Sequence, residues 1–153
     1  MQKNRSYLSP GDYPRIYLYR RVVQAKLFID AQYDQKIDLR DIADEAYFSK
    51  FHFTRLFKTI YNKTPHQYLI SVRIERSKLL LAEGMPVSAA CSTVGFESAA
   101  SFSGLFKRIT GIAPAEYSRQ QVARKAEIKK TPLKYIPNCF AENKGRTKKS
   151  NIR

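Results

Sequence analysis

The sequence predicts an all-α fold in which two helix-turn-helix units are joined by a long linker helix. One observation behind this prediction is an internal repeat: SKFHFTRLFKTIYNKTPHQY at 49–68 returns in altered form as SAASFSGLFKRITGIAPAEY at 98–117. A shift of 49 positions pairs Phe53 with Phe102. The other observation is the three-to-four-residue spacing of apolar side chains along the chain, which is typical of helices packed on a core. A repeat of this period usually represents one supersecondary unit built twice.

The charge of the chain favours a polyanionic partner. Its 153 residues suffice for one domain or a tight pair of subdomains. They include 28 Lys and Arg against 13 Asp and Glu, a formal charge of +15, which is typical of binding to nucleic acid or an anionic membrane. No apolar run approaches the ~20 residues of a membrane span, and the N-terminus lacks the apolar segment of a signal peptide. A cytoplasmic, nucleoid-associated protein is therefore expected.

No sequence pattern indicates catalysis. The chain has no glycine-rich phosphate loop, no carboxylate pair with a base and no metal-ligand spacing. Cys91 aligns with Ala43 of the first unit and is expected to be a small core residue, whereas Cys139 is expected to be exposed. The sequence thus predicts no enzyme, no cofactor and no metal site.

The first element is expected to be a helix that follows an irregular arm. Residues 1–15 should form the arm because Pro10, Gly11 and Pro14 interrupt it. The pattern becomes helical from Ile16 to about Gln32. Its core-facing residues are expected to be Leu18, Val22, Ala25, Ile29 and Tyr33.

The first helix-turn-helix unit is expected at about 38–62. Asp38 should cap a helix over 39–46, and Ser49 should cap the first recognition helix, which runs to about Tyr61. A short helix, a tight turn and a second helix with an exposed basic face are the parts of a helix-turn-helix.

A long linker helix is expected over about 65–83, with Pro65 in its first turn. At 1.5 Å per residue, about 18 residues span roughly 27 Å, close to the ~34 Å between major grooves on one side of a duplex. The helix serves as a rod between two reading heads, as a core-crossing helix, or as both. Its residues divide into an expected subdomain-facing set (Tyr68, Leu69, Val72, Leu79, Leu80) and an expected basic set (Arg73, Arg76, Lys78).

The second unit is expected at about 86–111. Its support helix covers 87–94 and its recognition helix 98–110, and its turn carries one residue more than the first. A short final helix should run from Pro114 to about Val122. The remaining segment, 123–153, is expected to be a basic, partly disordered tail that carries +8 of the net charge. Such a tail either adds nonspecific DNA affinity or only solubilises the protein.

Residues 19–121 resemble the C-terminal DNA-binding domain of the AraC/XylS family of bacterial transcription regulators. The resemblance rests on IADEAYFSKFHFTRLFK and TPHQYL in the first unit and on VGFESAASFSGLFKRITGIAPAEY in the second. It implies a seven-helix domain over 16–122 that sets two recognition helices into successive major grooves of duplex DNA. It also implies a stand-alone regulator that binds as a monomer and has RNA polymerase as a partner.

The resemblance places the base-reading positions of the first recognition helix on Phe51, Thr54 and Arg55. Arg55 is the strongest candidate, because an arginine grips guanine O6 and N7 with two hydrogen bonds; an exposed phosphate clamp is the other interpretation. In the second helix the matching positions are small: Ala99, Ala100, Ser103 and Gly104. That helix is therefore expected to anchor more than it reads. The expected phosphate contacts are Ser49, Lys50, His52, Lys58, Ser98, Lys107 and Arg108.

Two rival interpretations remain at this point. A nonspecific or architectural nucleic-acid binder would use the same charge without reading bases. A protein-interaction module would use the basic face to bind an acidic partner.

Overall fold

The computed structural model describes residues 13–135, and within them it contains seven α-helices, one 3-10 turn and no strand. The all-α, seven-helix prediction is therefore confirmed. The helices are α1 (Tyr13–Gln32), α2 (Leu39–Glu45), α3 (Lys50–Tyr61), α4 (Pro65–Ala82), α5 (Val87–Thr93), α6 (Ala99–Thr110) and α7 (Pro114–Lys130), and the 3-10 turn is Pro132–Tyr135.

The first subdomain packs α1, α2 and α3 around the start of α4. From α1, Val22, Ala25 and Ile29 are fully buried, as the helical spacing predicts. Phe53 and Phe57 of α3 lie in the same core with their ring centroids 5.5 Å apart. Because these two rings occupy one side of α3, the opposite side of that helix is turned to solvent.

The second subdomain repeats the arrangement with α5 and α6. Phe102 and Phe106 are fully buried and their centroids lie 5.7 Å apart. They pack with Ala90 and Cys91 of α5 and with the later part of α4. Cys91 is thus the small core residue that the sequence predicts, and burial raises the pKa of its thiol.

The linker helix α4 contributes to both cores. Leu69 is buried in the first core, and Ile74 and Leu81 are buried in the second. The prediction that Leu79 faces the subdomains is wrong, because its side chain is 59% exposed. Ser77 and Leu81 are both buried. Leu79 lies two positions from each of them, so its side chain points about 200° away around the helix, towards solvent.

The two helices of the first unit differ in how their N-termini are capped. The Asp38 carboxylate accepts the N–H groups of Arg40 and Asp41, while the Asp41 carboxylate accepts the N–H of Asp38 at 2.7 Å. This reciprocal capping box confirms Asp38 as the cap of α2. Ser49 occupies the N-cap position of α3, but its side chain makes no cap hydrogen bond, so that part of the prediction is wrong. Since Ser49 is exposed, water can accept hydrogen bonds from the first N–H groups of α3.

The turns differ in length as predicted. Four residues, 46–49, separate α2 from α3, and five residues, 94–98, separate α5 from α6. The second residue of each turn is left-handed, Tyr47 in the first unit and Gly95 in the second.

The outer helices are longer than predicted. α1 begins at Tyr13, inside the expected arm, because Pro14 falls in the first helical turn, where a missing N–H costs nothing. α7 continues to Lys130 instead of ending near Val122. The sequence ARKAEIKK that follows Val122 consists mostly of strong helix formers and ends with two lysines that suit the negative helix end. The rest of the arm (1–12) and most of the tail (136–153), with Cys139, lie outside the described residues.

Candidate nucleic-acid interface

One exposed face of α3 carries the predicted reading residues. Phe51 is 85% exposed, Arg55 is exposed and Thr54 is half-buried. Lys50 and Lys58 are exposed as well. At about 100° per residue, Phe51 and Arg55 point away from the buried phenylalanines and Thr54 and Lys58 lie to one side of them. Lys50 lies nearly in line with Phe57, at the exposed start of the helix.

His52 and Ser49, two predicted phosphate contacts, lie at the start of α3. The His52 ring lies edge-on to Phe48 in the turn, with centroids 5.2 Å apart. His52 thus packs against the turn while remaining exposed to solvent. Ser49 is exposed beside it.

The corresponding face of α6 is small and nearly neutral. Ala99, Ala100 and Gly104 are exposed and Ser103 is half-buried. A Cβ added at Gly104 would meet no atom within 4 Å, so nothing in the packing requires glycine there. These four residues therefore form the small-residue face that the sequence predicts, and the Ser103 hydroxyl is its one side-chain group for hydrogen bonding.

The ends of α6 carry polar and charged groups. Ser98 caps the helix by accepting the N–H of Ser101 at 3.3 Å. Lys107 and Arg108 are exposed in the last turn. Neither recognition helix contains an acidic residue, so both present an outer surface of positive or neutral charge.

Sequence reasoning missed the junction between the subdomains. Arg73 was expected to add surface charge, but its guanidinium is drawn into the fold: Nε donates to the Tyr33 carbonyl at 2.6 Å and Nη2 donates to the Gln35 carbonyl at 2.8 Å. The guanidinium also lies over the Phe96 ring, 5.6 Å from its centroid. Burial lowers the pKa of Arg73, against the opposing pull of the Asp34 carboxylate.

Two further contacts close this junction. The Lys36 ammonium lies 2.9 Å from the Glu97 carboxylate, and the hydrogen bond between them lowers the pKa of Glu97. The Asp34 carbonyl stands 2.6 Å from the point where a Cβ on Gly95 would lie. An open cleft of about 560 Å³ remains beside these residues. No local pattern could have revealed contacts between residues about 40 to 60 positions apart, although a left-handed glycine does mark the turn.

Two absences apply to residues 13–135. That part of the chain contains no cluster of His, Cys, Asp or Glu that could hold a metal ion. None of its helices is long and apolar enough to cross a membrane. His66 is exposed on the first turn of α4.

Comparisons with known proteins agree with this geometry. The family model for the helix-turn-helix domain matches residues 42–120, which is just over half of the chain. The probable transcriptional regulator LumQ of Photobacterium leiognathi is 34% identical over 91 residues, a match that covers 59% of this chain and 37% of that relative. The chain thus spans little more than a third of the length of this curated relative.

Solved structures share the fold. The DNA-binding domain of AdpA, solved in complex with a target DNA, is 28% identical with a TM-score of 0.62, and the match covers 71% of this chain and 96% of that one. A probable AraC family regulator from Rhodopseudomonas palustris CGA009 is 21% identical with a TM-score of 0.62, over 67% of this chain and 97% of that one, and shows the likeness of fold. These relatives are regulators rather than enzymes. The chain belongs to the AraC-type helix-turn-helix family of transcriptional regulators.

Proposed function

We propose that this chain binds specific sites in duplex DNA and regulates transcription there. In this proposal α3 and α6 enter successive major grooves on one face of the duplex, and α3 does most of the base reading. The observation that carries the proposal is a pair of equivalent helices whose outer faces are exposed, free of acidic residues and different in chemistry.

Arg55 is the principal base reader in this proposal. Its exposed guanidinium extends from the middle of the outer face of α3, and within residues 13–135 no ion pair occupies it. Two parallel hydrogen bonds to guanine O6 and N7 discriminate against other bases by roughly 1–3 kcal/mol. Phe51 and Thr54, on the same face, suit the methyl group of thymine, and the Thr54 hydroxyl also suits a base edge.

The second helix supplies less information. Ala99 and Ala100 can meet a thymine methyl but donate no hydrogen bond. Ser103 offers one hydroxyl, and Gly104 offers no side chain. In this proposal α6 mainly fixes the register of the protein on the duplex.

Phosphate contacts supply affinity without specifying sequence. Exposed ammonium and guanidinium groups at the ends of both recognition helices suit this role. The hydroxyl groups at the N-termini suit it too, because each can donate a hydrogen bond to a phosphate oxygen. The residues proposed for phosphate contacts are Ser49, Lys50, His52, Lys58, Ser98, Lys107 and Arg108.

The linker length is compatible with two adjacent grooves. α4 has 18 residues, which corresponds to about 27 Å along its axis. Successive major grooves on one side of a duplex are about 34 Å apart, a span of the same order.

The comparisons support DNA and transcription as the context. AdpA's domain is described in complex with a target DNA, and LumQ is described as a probable transcriptional regulator. Binding as a monomer, contact with RNA polymerase and a location in the cytoplasm at the nucleoid belong to the same proposal. Binding as a monomer and contact with RNA polymerase rest on the family resemblance.

Selection from a random duplex pool at near-physiological salt tests the proposal. The expected result is a motif with one sharply defined half and a vaguer half about one helical turn away. Gel-shift measurements with the selected site and a scrambled site of equal composition then give the specificity ratio. A pool without enrichment would overturn base reading by Arg55.

The second candidate is a nonspecific or architectural DNA binder. The small side chains on α6 favour it, since they leave one of the two helices with little means of reading bases. Enrichment of AT-rich DNA in general, without a positioned motif, would support this alternative over specific recognition.

A further inference from the structure

The two helix-turn-helix units meet at a three-way junction. It joins the α1–α2 connection (33–38) of the first subdomain, Arg73 in the linker helix, and the α5–α6 turn (94–98) of the second. Each contact is a specific one: two charge-assisted hydrogen bonds from Arg73 to backbone carbonyls, its guanidinium over the Phe96 ring, and the ion pair between Lys36 and Glu97.

Arg73 is the central member of this junction. The carbonyls of Tyr33 and Gln35 lie in an irregular connection, and the Arg73 fork holds both of them against α4. On its other side the same guanidinium contacts the second unit, where Nη2 lies 3.1 Å from the place of a Gly95 Cβ. One side chain therefore bridges both units, and a planar fork is suited to hold such a geometry rigidly.

Gly95 permits the close approach. Its φ of +83° is favoured only by glycine, and a Cβ would stand 2.6 Å from the Asp34 carbonyl oxygen, closer than any real contact. The first unit has Tyr47 at the matching position, also left-handed at φ 56° and largely exposed. The requirement for glycine at 95 thus comes from the neighbouring subdomain as well as from the turn.

We propose that Arg73 is a positioning residue that sets the angle and separation of α3 and α6, and thereby the DNA half-site spacing that the chain accepts. This inference rests on the proposed function for its DNA consequence. A duplex rotates by about a tenth of a turn per base pair, so two rigidly held helices fit one spacing. Two loosely joined helices tolerate several.

The first measurement is independent of DNA. Spin labels at Thr59→Cys on α3 and Arg108→Cys on α6, both exposed, report the distance between the recognition helices by pulsed electron resonance. The background replaces the native cysteines with Cys91→Ala, as in the first repeat, and Cys139→Ser. A single narrow distance is expected for the parent chain, and a broadened or shifted distribution for Arg73→Met.

The second measurement is the spacing profile. Affinity is measured for the selected site and for sites with one base pair added to or removed from the region between the halves. The parent chain should lose about tenfold or more in affinity, equivalent to about 1.4 kcal/mol, whereas Arg73→Met should lose about threefold or less. A merely destabilised protein would bind all of the sites proportionately less and keep the tenfold difference.

Matched variants separate the junction from general effects. Lys78→Met also removes a cation from α4, but Lys78 pairs with Glu75, one turn away on the same helix. This variant should change neither the distance distribution nor the spacing profile. Gly95→Ala should act like Arg73→Met. Gly111→Ala is its control: it has the same cost of a left-handed backbone, at φ +86°, but no atom lies near its Cβ, so it should change neither the distance distribution nor the spacing profile. If Arg73→Met does not fold, the comparison of Gly95→Ala with Gly111→Ala decides the question.

An unchanged distance distribution, or an unchanged spacing penalty, in both Arg73→Met and Gly95→Ala would overturn the inference. A change in the distance distribution with no DNA motif in the parent chain would overturn the proposed function. It would leave the positioning role of Arg73 supported.

Discussion

Tyr47 and Gly95 occupy equivalent places in the two helix-turn-helix units, each in the left-handed region, with φ of 56° and 83°. Both close the same hydrogen-bonding motif. In the first unit the N–H of Phe48 donates to Ala43, and in the second the N–H of Phe96 donates to Cys91, each at 3.1 Å. The repeated turn has thus been built once with a strained residue and once with an unstrained one.

Exchanging the residue types at these turns should have opposite effects on stability. Tyr47→Gly should stabilise the protein by about 0.5–1 kcal/mol, because a non-glycine residue in this conformation costs roughly 1–2 kcal/mol while glycine costs some entropy. Gly95→Ala should cost more than about 2 kcal/mol, since it adds a clash with Asp34 to the backbone cost. Urea unfolding measures both. A cost for Gly95→Ala no larger than that of Gly111→Ala would contradict the tight junction.

The cap of α2 should make stability depend on acid pH. Hydrogen bonds from the N–H of Asp41 and then of Arg40 lower the pKa of Asp38 below its ordinary value of 3.8. A lowered folded-state pKa stabilises the protein above the unfolded-state pKa, and this contribution is lost as pH falls through the folded-state value. Asp38→Asn keeps a capping side chain that does not ionise, so its stability relative to the parent should improve as pH drops from above about 4. A constant difference across that window would contradict the assignment.

Arg55 and Lys58, on one face of α3, should respond differently to removal. Arg55→Ala should relax base preference at particular positions of the site and cost about 1–3 kcal/mol there, because the bidentate contact is lost. Lys58→Ala should weaken binding about equally for all sequences and reduce the slope of log K against log salt by about 1. Repeating the random-pool selection with each variant measures this. Uniform weakening by both variants would remove Arg55 from the base readers.

The elements of the fold were predictable because the signals for them are local. Phe53 and Phe57, and their equivalents at 102 and 106, repeat at helical spacing, so the recognition helices and their outward faces follow from the sequence. Leu79 was misplaced because an apolar residue on a helix that serves two cores does not reveal which face it occupies. Arg73 was misread because its partners lie 38 and 40 residues away, and a cation gives no local sign of distant carbonyls.

The extension of α7 tests whether charge beyond the recognition helices contributes to binding. Arg124, Lys125, Lys129 and Lys130 are exposed on it. Replacing all four with glutamine, itself a good helix former, should lower the salt slope by about 1–4, since each phosphate contact contributes about 0.9. The selected motif should remain the same. An unchanged slope, with helicity preserved by circular dichroism, would leave only a solubilising role, and a changed motif would mean that this segment reads sequence.

The second recognition helix offers a gain-of-function prediction. Gly104 is the equivalent of Arg55 under the shift of 49 positions, it is exposed, and a side chain there would meet nothing within 4 Å. Gly104→Ala should stabilise the protein by up to about 1 kcal/mol, because glycine is a poor residue in a helix interior, and should leave DNA preference unchanged. Gly104→Arg should gain similar stability.

Only the arginine variant should also create a guanine preference in the vaguer half of the selected motif, because only it supplies the bidentate donor. Random-pool selection with both variants and the parent measures this, with urea unfolding to match their stabilities. If α6 enters a major groove as α3 does, the new preference should stand at one fixed position about one helical turn from the guanine that Arg55 reads. Tighter binding by Gly104→Arg with no new base preference would mean that this face of α6 meets phosphates. In that case only α3 would read bases in a major groove.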